Sequence, residues 1–293
     1  MSEWALTGLD FSASARAHQS QERFFARANP TSVIPQETVA PPPSPGERVG
    51  RGQTSEEEKA RYVRRMFGAI APRYDLVNTL LSGGLHWRWK RFAAAEAQVP
   101  PGGRALDVCC GTGDLALLLA GRAGPRGTVV GVDIAEEMLR VARRKARAAG
   151  LAGRVRFALG DAEALGLPDA AFDGATVGFG IRNTVHPEAA LREIRRVLRP
   201  GGRLVVLEFS RPRNAVFGRL YDWYSFTLMP WVGRLVSRHG DAYRYLSTSI
   251  RAWFDQEGFA AMMVRAGFAQ VRYYSLLGGV AAVHVGVRPA ALR

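Results

Sequence analysis

Arg104-Ala-Leu-Asp-Val-Cys-Cys-Gly-Thr-Gly-Asp114 decides the architecture: an apolar run stops at a glycine turn, and a helical pattern starts directly behind it. A second run, Thr128-Val-Val-Gly-Val-Asp133, again ends in an acid. Gly111 and Gly113 have no Cβ, so the backbone of the turn can come close to a ligand. Asp133, at the tip of the second strand, is placed to accept hydrogen bonds from both hydroxyls of a ribose. Such charge-assisted bonds are worth about 1.5–3 kcal/mol each when sheltered from water. The pair of strands implies a nucleoside cradle.

Gly111-Thr-Gly-Asp-Leu-Ala116 also satisfies the G-x-G-x-x-[GA] pattern of dinucleotide sites, a weak signal when it stands alone. Asp107 turns the reading elsewhere. It lies four residues before Gly111, in reach of the amino group of a methionine moiety. A helix N-terminus favours anions, yet Asp107 and Asp114 would repel a pyrophosphate. Acids at this turn suit a cationic sulfonium ligand, S-adenosylmethionine. A plain strand–turn–helix corner capped by Asp114 is the competing interpretation.

Working outward, strands are expected at 104–110, 128–133, 154–159, 172–178, 203–209, 270–275 and 281–287, with helices at 113–121, 135–149, 187–198 and 247–266. Short apolar strands separated by helices imply an α/β fold, a mostly parallel sheet covered on both faces. Pro200-Gly201-Gly202 marks a firm boundary between a helix and a strand. Ligands of such sheets lie beyond the carboxyl ends of the strands. Those ends carry Asp107, Asp133, Asp161, Gly178 to Asn183, and Glu208, which points to one active site. Asp161 suits either an adenine amino group or a turn cap.

The chain has 293 residues, 47% of them hydrophobic, enough for a full core in one domain at 56–293. Its net charge is +14, and only Lys59, Lys90 and Lys145 among the 40 basic residues are lysine. The arginines are spread along the chain, which suits a solvated surface more than a nucleic-acid platform. Cys109 and Cys110 are too few and too close for a disulfide framework, so a reducing cytoplasm is expected. The histidines show no ligand spacing, and no metal is expected. Residues 1–55, with Ala40-Pro-Pro-Pro-Ser-Pro-Gly46, are expected to form a disordered extension. No secretory signal and no membrane span is legible. Thr54-Ser-Glu-Glu-Glu58 marks a helix start.

Four further blocks carry a resemblance. Tyr74-Asp-Leu-Val-Asn-Thr-Leu-Leu-Ser-Gly-Gly-Leu-His-Trp-Arg-Trp89 and Arg196-Val-Leu-Arg-Pro-Gly-Gly-Arg-Leu-Val-Val-Leu-Glu-Phe-Ser210 resemble the two signatures of the quinone-pathway C-methyltransferases. Gly178-Phe-Gly-Ile-Arg-Asn183 and Tyr243-Arg-Tyr-Leu-Ser-Thr-Ser-Ile-Arg251 are similar to family blocks and stand in the right order. Val77 replaces the usual Met, and Trp253-Phe254 departs from the commoner proline-containing sequence. The resemblance implies a class I methyltransferase-like Rossmann fold with seven strands and a helical lid. It implies S-adenosylmethionine as cofactor, contacted by Thr112, Asp133, Asp161 and Ala162, with Gly111 from the glycine turn. It also implies methylation of a prenylated quinol, demethylmenaquinol first and the ubiquinone precursor as the alternative. A nicotinamide-dependent oxidoreductase and an RNA methyltransferase are the readings from other classes.

Arg182 is the candidate to stabilise a phenolate, and His86 the candidate proton acceptor. Tyr74, Asp75 and Asn78 are lid candidates, Tyr243 and Arg251 pocket candidates. The aromatic run Phe217-Gly-Arg-Leu-Tyr-Asp-Trp-Tyr-Ser-Phe-Thr-Leu-Met-Pro-Trp231 suits an isoprenoid tail and a membrane boundary. Peripheral contact with the inner face of the membrane is therefore expected, with no nucleic-acid partner, and a homodimer is compatible with the sequence.

Overall fold

The computed structural model describes residues 56–224, 227 and 240–290. The extension at 1–55 and much of the aromatic run, from 225 to 231 apart from 227, lie outside the described residues.

Among the described residues, three helices, α1 (Glu56–Ile70), α2 (Tyr74–Ser82) and α3 (Leu85–Glu96), precede the sheet. The alternation then runs β1 (Arg104–Val108), α4 (Asp114–Ala123), β2 (Thr128–Asp133), α5 (Glu136–Ala148), β3 (Val155–Leu159), β4 (Phe172–Gly178), α6 (Pro187–Val197) and β5 (Leu198–Phe209). It closes with α7 (Ala215–Trp223), α8 (Gly240–Ala252), α9 (Gln256–Arg265), β6 (Ala269–Leu276) and β7 (Ala281–Val287). The seven strands are ordered β3-β2-β1-β4-β5-β7-β6. Pairing is parallel from β3 to β5, and β7 runs antiparallel to both β5 and β6.

The central strands are buried on both faces, which is why they read as unbroken apolar runs rather than alternating ones. One face packs on α6 and α9 through Leu191, Ile194, Phe259 and Met263. The other packs on α3 and α4 through Trp89, Ala93, Leu117 and Leu119. A third cluster, Ile70, Ala71, Val77, Ala135 and Met138, seats α1 and α2 against the start of α5, above the carboxyl edge. These helices form the expected lid.

The helix expected over 247–266 is two helices, α8 and α9. Trp253 turns into the core between them, and its ring meets Phe254 and Phe259. Asp255 then caps α9, its side chain accepting from the Gly258 N–H at 2.8 Å. Strand order reverses between β1 and β4, and Thr176 Oγ1 on β4 donates to Asp107 Oδ1 on β1 at 2.8 Å across that switch point.

Candidate active site

Cys109, Gly111 and Gly113 all have positive φ (53°, 52° and 83°), so the chain leaves β1 through a tightly curled turn. Gly113 is fixed twice over, because a Cβ there would also stand 2.9 Å from the Ala142 Cβ on α5. At Gly111 a Cβ would meet only open space, and that space is a cavity the residue lines.

The cavity encloses about 740 Å³, counting its open mouth, and brings together Gly111, Asp133, Asp161 and Ala162. Asp133 is held by two backbone amides: Gly111 N donates to Oδ2 at 2.8 Å and Ala135 N to Oδ1 at 2.9 Å. Burial pushes its carboxyl up, and these amides oppose the shift. Each oxygen keeps further lone pairs for a ligand hydroxyl. Asp161 is exposed at the rim; its Oδ1 caps the turn by accepting from Glu163 N at 2.9 Å, so the turn-cap role is realised and the side chain still borders the cavity. Overhead, Ala60, Val63 and Phe67 of α1 close the cavity, and Lys59 Nζ donates to the Thr184 carbonyl at 2.7 Å.

Next to it lies a smaller recess that shares Tyr74, Cys109, Gly111, Gly178 and Phe179 with the first cavity. Asp107 lines it, 1% exposed, and its Oδ2 has no hydrogen-bond partner. Burial pushes this carboxyl up to about 7. A buried carboxylate oxygen without a hydrogen-bond partner at the wall of a recess is placed to accept from a charged donor.

Thr112 does not line the larger part of this site. Its hydroxyl donates to Asp75 Oδ1 on α2 at 2.6 Å, and Lys145 Nζ reaches Asp75 Oδ2 at 2.9 Å. Lys145 also pairs with Asp114, and Lys90 Nζ donates to Asp114 Oδ2 at 2.7 Å. Burial alone would raise the Asp114 carboxyl, but the two ammonium groups outweigh it and hold the group well below the usual range. The repulsion of a pyrophosphate attributed to Asp114 is thus corrected: its charge is matched by Lys90 and Lys145, and only Asp107 supplies the uncompensated acid. Sequence reasoning missed both lysines. The signal was their rarity, since all three lysines of an arginine-rich chain make internal contacts.

A second cavity, about 1400 Å³ with its mouth, opens on the far side of Tyr74 and Phe179, which border both cavities. Its walls are mainly apolar and include Leu81, Leu85, Trp89, Phe209 and Leu246. Both predicted catalytic residues line it. Arg182 is 7% exposed; its Nη1 donates to Glu208 Oε1 at 2.7 Å and to the Phe179 carbonyl at 2.6 Å, while its Nε has no partner. Burial pushes the Glu208 carboxyl up and the Arg182 guanidinium opposes it. His86 is equally buried, and burial with the nearby Lys90 charge lowers its pKa to about 3. Thr79 Oγ1 donates to the Asp75 carbonyl at 2.8 Å, so in its contact with His86 Nε2 at 3.0 Å the hydroxyl oxygen accepts and the ring N–H donates. The imidazole is therefore neutral with a bare, partnerless Nδ1. Asn78 and Tyr74 line the same cavity, and burial raises the Tyr74 hydroxyl to about 12. Arg251 is exposed and borders neither cavity, and the side chain of Tyr243 lies outside the described residues.

A sheet of this order, with cavities at the carboxyl edge of its parallel strands, is an α/β Rossmann-like fold with its ligand crevice in the expected place. The chain matches the ubiE/COQ5 methyltransferase family over residues 53–288 and belongs to it. It is 48% identical over 245 residues to the ubiquinone/menaquinone biosynthesis C-methyltransferase UbiE of Ectopseudomonas mendocina, covering 84% of this chain and 96% of that protein. The protein of the same name from Azotobacter vinelandii is 48% identical over 240 residues, 82% of this chain and 95% of its own length. Among solved structures, a SAM-dependent methyltransferase from Thermotoga maritima, described as a possible histamine N-methyltransferase, superposes with a TM-score of 0.53 at 22% identity, over 77% of this chain and 99% of that one; this likeness bears on the fold alone.

A methyltransferase of this family takes its methyl group from S-adenosylmethionine, the cofactor read from the glycine turn. The residues present fit that group: Asp107 offers a partnerless carboxylate oxygen, and Gly111 leaves room that any Cβ would take. The nicotinamide-dependent reading gives way to the family membership.

Proposed function

We propose that the chain transfers a methyl group from S-adenosylmethionine to a ring carbon of a prenylated quinol, with demethylmenaquinol as substrate and the demethylated ubiquinone precursor as a second acceptor. The observation that carries this reading is a buried donor and a buried acceptor without partners, Arg182 Nε and His86 Nδ1, on residues that line a mainly apolar cavity. A hydrocarbon-lined space with a few orienting polar groups suits a hydroquinone head on an isoprenoid tail. The names of the relatives cover both quinone pathways.

Bound S-adenosylmethionine supplies an electrophilic methyl on a sulfonium. The chain's part is to hold, orient and shelter. Asp133 anchors the ribose, Asp161 and Ala162 flank the base, and Gly111 and Thr112 shape the turn. Asp107 takes the amino group of the methionine moiety. Tyr74 and Phe179 form the partition at which donor and acceptor meet, so near-attack geometry is set there. Arg182 Nε–H donates to a quinol oxygen and favours its ionised form, which enriches the adjacent ring carbon. His86 Nδ1 accepts a hydrogen bond from a quinol hydroxyl and orients it. Expected as the proton acceptor, it is too weak a base at a pKa of about 3 to keep a proton. The hydroxyl proton and the ring proton displaced by the methyl group would therefore pass to solvent through the cavity mouth. The apolar lid of α1 and α2 excludes water.

No helix among the described residues is long and apolar enough to cross a membrane. The protein works at the inner face of the membrane as a peripheral protein, where its substrates reside. RNA methylation has less support, since both cavities are lined mainly by apolar side chains. The test is incubation with methyl-labelled donor and a panel of demethylated naphthoquinols and benzoquinols, alongside bulk RNA. Label in the lipid extract is expected. Label confined to RNA, or absent from every quinol, would overturn the reading, and label in benzoquinols alone would overturn the menaquinone assignment.

A further inference from the structure

We propose that α2, α7 and the turn at Leu277 form a docking face for an anionic lipid bilayer, onto which the larger cavity opens; this rests on reading that cavity as the prenyl-tail site. Five of the seven large apolar side chains exposed among the described residues lie here: Leu76 (54%), Leu80 (54%), Val216 (76%), Trp223 (60%) and Leu277 (51%). Their spacing makes two stripes. Arg73, Leu76 and Leu80 follow each other at three and four residues along α2 and the turn before it, and Val216, Arg219 and Trp223 do the same along α7. Three-and-four spacing puts side chains on one helix face. All six are exposed, each stripe carries one arginine, and neither carries an acid.

The elements are joined. Tyr224 Oη, just past α7, donates to the Leu81 carbonyl on α2 at 2.6 Å. Arg213 N, just before α7, donates to the Gly278 carbonyl at 3.3 Å. Leu80 and Leu277 also line the larger cavity, so the exposed apolar surface continues into its wall. Apolar tips interleaved with arginines match the two layers of an anionic membrane surface, acyl chains below and phosphates above. A protein partner would need acids opposite Arg73 and Arg219 on a rigid surface, whereas phosphates adjust, and the net charge of +14 favours the same approach. A prenylated substrate then passes from bilayer to cavity without its tail crossing water.

Flotation with phosphatidylcholine vesicles, with and without phosphatidylglycerol, tests the face. The protein should float with the anionic vesicles and release as salt rises. Two variants avoid both cavities: L76S/V216S/W223S removes the apolar tips, and R73E/R219E reverses the charges without touching the core. Each should lower partition at least about tenfold, while turnover of a short-tailed, water-soluble quinol stays unchanged. Wild-type protein that ignores anionic vesicles overturns the proposal, as does wild-type partition in both variants, or a wild-type dimer that they abolish in the absence of vesicle binding. If the wild-type protein floats but never methylates the short-tailed quinol, the substrate reading fails and the docking face stands.

Discussion

At Asp133 both carboxylate oxygens accept a backbone N–H, so the protein itself orients the side chain. Asp133→Ala removes that orientation and the ribose contacts together. Two charge-assisted bonds at about 1.5 kcal/mol each predict a loss of S-adenosylhomocysteine affinity of about a hundredfold or more, read by calorimetry. Asp107 adds a pH dependence. Burial pushes its carboxyl up to about 7, and a cationic amino group binds the ionised form. Affinity should therefore be flat above about pH 7 and fall about tenfold per unit below it. Asp107→Asn should weaken binding and abolish that slope in titrations run between about pH 5.5 and 7.5. Arg182 needs a gentler change, because Arg182→Ala would strand Glu208, itself 1% exposed, without its cation. Arg182→Lys keeps a charge beside Glu208 and loses the Nε donor. It should lower kcat by about 10²-fold, with S-adenosylhomocysteine affinity unchanged.

Among the elements, the helices over the carboxyl edge are tied down by polar contacts rather than by a large core. Asp75 of α2 holds both Thr112 in the cofactor turn and Lys145 of α5, so the lid that borders the larger cavity is fastened to the loop that shapes the smaller one. The break between α8 and α9 depends on Asp255. Asp255→Ala should cost about 1 kcal/mol through the lost cap, a fall of about 2–4 °C in Tm for a domain of this size, and leave cofactor affinity as it was. The sequence pattern over 247–266 read as one helix because its apolar spacing continues through Trp253 and Phe254. What interrupts it is tertiary: Trp253 packs on Phe259 rather than on its own helix. By contrast β1 and β4 were legible because burial on both faces leaves a nearly unbroken apolar run. β5 begins at Leu198, so Pro200-Gly201-Gly202, expected as a boundary before the strand, lies inside it, where exposed Arg199, Pro200 and Gly201 hide the strand from an apolar pattern.

On the scale of the whole molecule, the cofactor half was more legible than the substrate half. Gly111, Asp133 and Asp161 follow one another along the chain at strand tips, where topology alone places them together. The larger cavity draws on α2, α3, β5, α7 and α8, separated by up to about two hundred residues, and no local spacing reports that Tyr74 and Phe179 form a shared wall. The neutralisation of Asp114 was hidden for the same reason, as Lys90 and Lys145 lie 24 and 31 residues away in sequence. In the proposed reading the adenosine lies over Gly111 and the sulfur beside Tyr74 and Phe179, facing the larger cavity. The structure of the protein with S-adenosylhomocysteine tests that arrangement directly. The ribose should sit on Asp133, the amino group on Asp107 Oδ2, and the sulfur between Tyr74 and Phe179; a ligand lodged elsewhere, or one that leaves Asp107 and Asp133 untouched, would contradict it.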